Sequence, residues 1–175
     1  KDDFLKRIQI IAAAQPKAIV LREKDLSETE YAKLAEEVYN ITTSYDVRLI
    51  IHTYINVARE LPAAKVPAAQ GPSAAFLKAP PPRLRALSLP HLHVPARRVR
   101  PQARNMGASY ITAGHVYVTD CKKGLAPRGL DFLKNVCDSV DIPVYAIGGI
   151  NIDDGRREEV KKYGAAGSCI MSGMM

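Results

Sequence analysis

The amino-acid sequence predicts an α/β protein in which helices cover a parallel β-sheet. Short apolar runs alternate with amphipathic segments along most of the 175 residues. Parallel neighbouring strands need a crossover of about a dozen residues, and helices fill those intervals here. The hydrophobic fraction of 47% and the charged fraction of 25% are those of an ordinary globular protein. We therefore expect a single domain over residues 1–175.

The N-terminal part predicts a helix followed by two strand and helix pairs. Residues 2–14 place apolar side chains on one helical face and stop before Pro16, which lacks an amide donor. Residues 17–23 form a nearly continuous apolar run, as in a strand buried on both faces. Ser27 and Glu30 stand at the spacing of a capping box and predict the start of the next helix. The second pair is a strand over 47–53 and a short helix over 54–61.

The C-terminal part continues the alternation of strands and helices. The residues that end its strands help to decide between a closed barrel and an open sheet. The predicted elements are strands over 108–116, 142–150 and 167–173, with helices over 130–140 and 153–164. Polar or glycine-rich residues end each predicted strand. A (β/α)8 TIM barrel gathers the carboxyl ends of its strands around one mouth, where active sites form. These endings favour a barrel over a doubly wound sheet, which would show almost the same alternation.

Residues 62–105 differ in composition from the rest of the chain. They contain eight Lys and Arg, no Asp or Glu, and nine of the twelve prolines. We interpret them as a loosely ordered insert in which only 63–69 and 91–95 resemble strands. The remaining residues carry 17 basic against 18 acidic side chains, so the net charge of +7 comes from this segment. Phe76 is its only aromatic residue, which argues against nucleic acid as a partner.

The apolar runs, the first residues and the cysteines of the sequence predict where the protein is located and whether its thiols are reduced. No apolar run approaches the roughly 20 residues that a membrane span needs, and the first residues lack the pattern of a secretory signal. We expect a cytoplasmic protein that does not enter a membrane. Its three cysteines fit neither a zinc site nor a disulfide framework, so we expect reduced thiols.

The sequence "GHVYVTDCKKG" (114–124) is the most specific motif in the chain. Together with "LREK" upstream and "IPVYAIGGIN" and "GAAGSCIMSG" downstream, it resembles the thiamine phosphate synthase superfamily and, within it, the TenI-type thiazole tautomerases. This resemblance implies a (β/α)8 barrel. The barrel is expected to be incomplete here, without the first strand and the last helix, and irregular over 62–105.

Two activities occur among the proteins that this sequence resembles, a synthase and a tautomerase, and the residues after the third strand distinguish them. Synthases of the superfamily carry an Asn-Asp pair after the third strand, and the Asp binds magnesium for a pyrimidine pyrophosphate substrate. This chain has His52 and Thr53 there, which are poor magnesium ligands. A tautomerase needs no metal, because it only moves a proton to aromatise a thiazole carboxylate phosphate. We therefore expect an isomerase without a cofactor, with His115 as its acid and base.

Two alternatives stay open. One is a thiamine phosphate synthase that requires magnesium, and the other is a non-catalytic regulatory or interaction protein of the same fold. From spacing alone, His115 is better explained as a structural histidine at a strand end, bonded to a backbone carbonyl, and only the family resemblance favours the catalytic role. We expect a small thiazole phosphate as the partner, and a homo-oligomer is left open. The residues predicted to bind substrate or phosphate are Arg22, Lys24, Thr119, Lys122, Gly148, Gly149, Ser172 and Gly173.

Overall fold

The computed structural model describes residues 2–23, 25–52, 54, 57, 61, 85–89, 108–171 and 174. The chain divides into two compact units, Lys1–Lys78 and Ala79–Met175. Each unit contains parallel strands that alternate with helices along the chain. The α/β class predicted from the sequence is therefore confirmed.

The first unit contains two helices and a two-stranded sheet. Its elements are α1 (Asp2–Ala13), β1 (Ala18–Leu21), α2 (Glu28–Ser44) and β2 (Arg48–Ile51). The two strands are parallel, with Val20 opposite Ile50. Helix α2 begins with the predicted capping box, because the Ser27 amide donates to Glu30 Oε2 at 3.0 Å and the Glu30 amide donates to Ser27 Oγ at 3.3 Å.

The core of the first unit lies between its two helices and the sheet. Helix α1 contributes Ile8 and Ala12, and strand β1 contributes Ile19 and Leu21. Tyr31 of α2 is completely buried, and its hydroxyl donates to the Leu21 carbonyl oxygen at 2.7 Å. This hydrogen bond satisfies the one polar atom of a large buried side chain and fixes the end of β1 against the helix.

The second unit contains the elements β3 (Arg85–Leu89), β4 (Ala108–Gly114), α3 (Gly129–Asp138), β5 (Val144–Ile147), α4 (Arg156–Lys162) and β6 (Gly167–Cys169). Its strands form a four-stranded parallel sheet in the order β3-β4-β5-β6. A short 3₁₀ helix, Asp120–Lys122, lies in the loop after β4.

The two faces of this sheet differ. One face is buried in a cluster that includes Ile111 of β4, Val144 of β5, Leu133 of α3 and Val160 of α4. On β4 and β5 the residues that alternate with this buried set, such as Tyr110 and Tyr145, are only half-buried. The Tyr110 and Tyr145 rings meet edge to face with centroids 5.8 Å apart. Cross-strand aromatic pairs of this kind add to sheet stability.

Some of the strands and helices predicted from the sequence differ from those in the structure or lie outside the residues that it describes. Strand β3 was missed, because it lies in the proline-rich and basic segment that was interpreted as a loose insert. The strands expected at 63–69 and 91–95 lie outside the described residues, as does most of the helix expected over 54–61. Closure into a TIM barrel and a single domain both stay predictions.

Among the described residues, no helix has the length and apolar character needed to cross a membrane.

Candidate functional site

The candidate site begins where β4 and β5 end side by side. Beyond its last residue, β4 continues to bond with β5: the Val116 amide donates to the Ile147 carbonyl at 3.0 Å, and the Tyr117 amide donates to the Gly148 carbonyl at 3.1 Å. The peptide bond between Gly114 and His115 is cis. The histidine and the glycine pair that the sequence singles out are therefore neighbours in space.

The turn at Gly148 and Gly149 can be formed only by glycine. Both residues have positive φ, +99° and +67° respectively. A Cβ atom on Gly148 would lie 2.3 Å from His115 Cβ, and one on Gly149 would lie 2.3 Å from the Val118 carbonyl oxygen. The turn therefore presses its backbone directly against the residues after β4. Successive N–H groups of a turn with positive φ can form a concave site for an anion.

The amides of Gly149 and Ile150 are the next feature of this turn. In the described part of the chain, neither the Gly149 nor the Ile150 amide donates to a backbone carbonyl outside the regular strand pairing. Adjacent amides of this kind are suitable donors for phosphate oxygens. Phosphate binding by this turn stays a prediction.

His115 is half-buried beside the turn. Its Nε2 atom lies 3.4 Å from the Leu125 carbonyl oxygen, beyond the usual range of a strong hydrogen bond. Its own carbonyl accepts from the Arg128 amide at 3.0 Å, which closes the base of the loop between β4 and α3. The weak contact with Leu125 matches the structural alternative for this histidine, so its catalytic role is still only a prediction.

Thr119 and Lys122 lie in the same loop as His115. The Lys122 amide donates to the Thr119 carbonyl at 3.0 Å, and this bond closes the 3₁₀ turn. Lys122 is half-buried, whereas Lys123 is exposed and its Nζ lies 3.9 Å from Asp120 Oδ1. The loop therefore presents one partly enclosed lysine and one solvated lysine.

The other predicted site residues are placed only in part. Arg22 is exposed directly after β1, in the first unit. Lys24, Ser172 and Gly173 lie outside the described residues. Strand β6, which leads toward Ser172, pairs with β5 so that Cys169 is opposite Ile147. The carboxyl ends of β5 and β6 are therefore neighbours, as a shared anion site requires.

Sequence reasoning missed a cluster of side chains behind the glycine turn. The Arg156 guanidinium donates through Nη1 to the Gly149 carbonyl oxygen and lies 4.7 Å from the centre of the Tyr117 ring. The Tyr117 hydroxyl donates to Glu159 Oε2 at 2.5 Å. Burial and this hydrogen bond together raise the pKa of Tyr117 well above its ordinary value. No local motif signals the cluster, because Tyr117 and Glu159 are 42 residues apart.

The described residues do not fit the magnesium ion that the synthase resemblance implies. His52 follows β2, its side chain is exposed, and its amide donates to the Leu21 carbonyl at 3.2 Å. Thr53 lies outside the described residues. Within the ranges that the structure describes, no three His, Cys, Asp or Glu side chains are grouped so that they could hold a metal. Magnesium prefers several oxygen ligands, and an exposed imidazole does not replace a carboxylate.

Comparison with known proteins gives consistent relatives. A putative thiamine-phosphate synthase 2 of Aquifex aeolicus is 32% identical over 149 residues, covering 85% of this chain and 78% of that protein. The thiamine-phosphate synthase of Fusobacterium nucleatum is 30% identical, covering 99% of this chain and 82% of its own length. The solved thiamine phosphate pyrophosphorylase of Pyrococcus furiosus superposes with a TM-score of 0.70 at 27% identity, covering 96% of this chain and 79% of that one.

These relatives correct the activity expected from the sequence. The isomerase interpretation was wrong, because the matched relatives are named as synthases, and synthases are transferases. The interpretation depended on one histidine and on the missing Asn-Asp pair. A histidine that contacts a loop carbonyl does not require proton-transfer chemistry, so this difference alone could not outweigh the similarity along the whole chain.

The family itself follows from the extent of the match. A family model with the description "Thiamine monophosphate synthase" matches residues 1–174. The match includes both compact units and all the strand ends discussed above. The chain belongs to the thiamine monophosphate synthase (TMP-TENI) family.

Proposed function

We propose that this protein is a thiamine-phosphate synthase. In this reaction a pyrimidine pyrophosphate and a thiazole phosphate are joined, and pyrophosphate leaves as the new bond forms. The names of the relatives support the reaction class. The observation that carries the proposal is the glycine turn after β5, which packs on the residues after β4 at neighbouring strand ends.

The proposed site holds anionic groups with backbone amides and a lysine. The amides after Gly148 bind the phosphate of the thiazole substrate, and Ser172 and Gly173 complete this site from the end of β6. Thr119 and Lys122 lie in the loop that begins beside the turn, where the Lys122 ammonium stabilises the charge of the departing pyrophosphate. Arg22 and Lys24, after β1, are proposed to serve the same anionic substrates. A (β/α)8 barrel formed by one domain would bring these strand ends to one mouth.

We assign no step of the reaction to magnesium. The ion would supply further charge neutralisation for pyrophosphate when bound. The described residues contain no carboxylate cluster for it. The lysine and the amides are therefore the groups to which we assign the binding of negative charge.

The first test is the condensation reaction with the full chain. Incubation with the pyrimidine pyrophosphate and the thiazole phosphate should yield thiamine phosphate and pyrophosphate in equal amounts. Product formation is measured by chromatography, with magnesium and with a chelator. Absence of product in both conditions, with a folded protein, would contradict the proposal.

A matched pair of variants locates the charge stabilisation. Lys122→Ala should lower kcat/KM by about tenfold to a hundredfold, because it removes a cation from the leaving group. Lys123→Ala removes the exposed neighbouring lysine and should stay within about twofold of wild type. Equal effects of the two substitutions would exclude the assigned role of Lys122.

A further inference from the structure

The glycine turn is held from behind by two hydrogen bonds to consecutive carbonyl groups. The Tyr117 amide binds the Gly148 carbonyl at 3.1 Å, and the Arg156 guanidinium binds the Gly149 carbonyl. A trans peptide group is planar, so its N–H points opposite to its C=O. The bond from Tyr117 therefore directs the Gly149 N–H away from the Tyr117 amide, and the bond from Arg156 directs the Ile150 N–H away from the Arg156 guanidinium.

Arg156 is itself held by two further residues, Asp154 and Tyr117. Its Nε atom lies 3.5 Å from Asp154 Oδ2, and its amide donates to Asp154 Oδ1 at 3.1 Å. Its guanidinium also stacks over the Tyr117 ring, and the Tyr117 hydroxyl is bound by Glu159. Asp154 Oδ2 also accepts from the Asn151 amide at 3.2 Å, so the loop after the turn is tied to the same carboxylate. A planar guanidinium suits this arrangement because it can bind two acceptors and stack at once.

From these contacts we infer that Arg156 is a positioning residue for phosphate: it does not touch the ligand, but it orients the glycine turn so that the Gly149 and Ile150 amides face the anion. This inference rests on the proposed function, because it assumes that the turn binds the substrate's phosphate. It predicts that the side chain acts on the phosphate group alone and not on the organic part of the ligand.

The experiment compares a phosphorylated ligand with its counterpart that lacks phosphate. The dissociation constants of thiamine phosphate and thiamine are measured by calorimetry for the full chain and its variants. In Arg156→Ala, affinity for thiamine phosphate should fall about tenfold, as expected when one well-oriented hydrogen bond to a charged group is lost. Affinity for thiamine should change by less than about twofold, because thiamine has no phosphate to meet the turn.

Two further variants separate positioning from charge and from loss of structure. Arg156→Lys keeps the positive charge but not the planar donors, so it should remain at least about threefold weaker than wild type toward thiamine phosphate. Arg157→Ala removes the exposed neighbouring charge and should bind like wild type. Arg156→Lys also serves as the test if Arg156→Ala does not fold.

The binding measurements distinguish failure of the positioning role of Arg156 from failure of the proposed function. If wild-type protein binds thiamine and thiamine phosphate equally, the proposed phosphate site is wrong. If wild type prefers thiamine phosphate but Arg156→Ala or Arg156→Lys retains full affinity, only the positioning role is overturned. Equal weakening for both ligands would also overturn it, because general loss of structure does not discriminate between them.

Discussion

Gly114 determines how closely the ends of β4 and β5 approach. A Cβ atom at this position would lie 2.1 Å from the Ile147 carbonyl oxygen and 2.8 Å from Ile147 Cγ2. The carbonyl is fixed, because it accepts the Val116 amide at 3.0 Å. The missing side chain therefore permits the backbone contact that brings His115 to the glycine turn.

Replacement of Gly114 should disturb the whole strand pair. We expect Gly114→Ala to lower the free energy of unfolding by about 3 kcal/mol or more, because the new methyl group meets backbone that cannot move. The measurement is chemical denaturation followed by circular dichroism. Gly124→Ala is the control: φ there is +81° but nothing lies within 4 Å, so only backbone strain of about 1 kcal/mol is expected. A loss at Gly114 no larger than that at Gly124 would show that the strands can separate at little cost.

The residues of the candidate site divide into those that sequence could predict and those that it could not. Gly148 and Gly149 were predicted, because paired glycines after an apolar strand are a local signal. Arg156 was interpreted only as part of a helix, since its proposed role depends on contact with Tyr117, which lies in the loop after β4. Contacts between side chains distant in sequence leave no local pattern, so a single sequence does not reveal them.

Helix α2 shows how local chemistry fixes the boundary of an element. The Ser27 hydroxyl and the Glu30 carboxylate satisfy amides that would otherwise have no partner at the helix start. The hydrogen bond from the Ser27 side chain, and then the one from its backbone, hold the pKa of Glu30 below its ordinary value. A lowered carboxyl pKa adds stability above the unfolded value, and this contribution is lost as the pH falls through the folded value.

The cap supplies a test at the level of this helix. Ser27→Ala should lower the free energy of unfolding at neutral pH by about 1 kcal/mol, the usual effect of losing a serine cap. Ser44→Ala removes an exposed hydroxyl at the other end of the same helix, where it donates to the Ile41 carbonyl at 2.8 Å, and should change stability by less than about 0.5 kcal/mol. Both values come from urea denaturation, and a neutral result for Ser27→Ala would mean that the helix start is held by packing alone.

The strands of the sheet were predicted with uneven success, for a physical reason. Strands β4, β5 and β6 lie within short apolar runs bounded by turn residues, so the sequence shows them directly. Strand β3 has the sequence "RALSL" amid prolines and arginines, and its pairing with β4 is the evidence for it. Strand formation depends on partners that lie elsewhere in the chain, and composition alone does not report them.

The charge of the whole molecule does not locate its function. The net charge of +7 originates in residues 62–105, whereas the candidate site depends on glycine amides and individual lysines. The family membership favours a small-molecule substrate over a macromolecular partner of opposite charge. Net charge influences solubility and encounter rates more than it specifies a binding site.

The stability of the whole molecule should instead depend at high pH on three half-buried acidic groups, two cysteine thiols and one tyrosine hydroxyl. Burial raises the pKa of Cys137 and Tyr110, and it raises the pKa of Cys169 to about 11 from an ordinary value of 9.0. These groups prefer to stay protonated in the folded state. Their contribution to stability is therefore complete below the unfolded pKa and is lost as the pH rises through the folded pKa.

We expect the free energy of unfolding to decline between about pH 9 and pH 11, and Cys169 to cause a defined part of that decline. At pH 10.5 the thiol should account for about 2 kcal/mol, the value that follows from two pKa values about two units apart. Urea denaturation of wild type and Cys169→Ala, each referred to its own stability at pH 8, measures this difference. Cys121→Ala, which removes an exposed cysteine, is the control and should follow wild type. Parallel pH profiles for wild type and Cys169→Ala would show that this thiol ionises as readily in the folded chain as in the unfolded one. Water would then reach the Cys169 side chain in the folded protein.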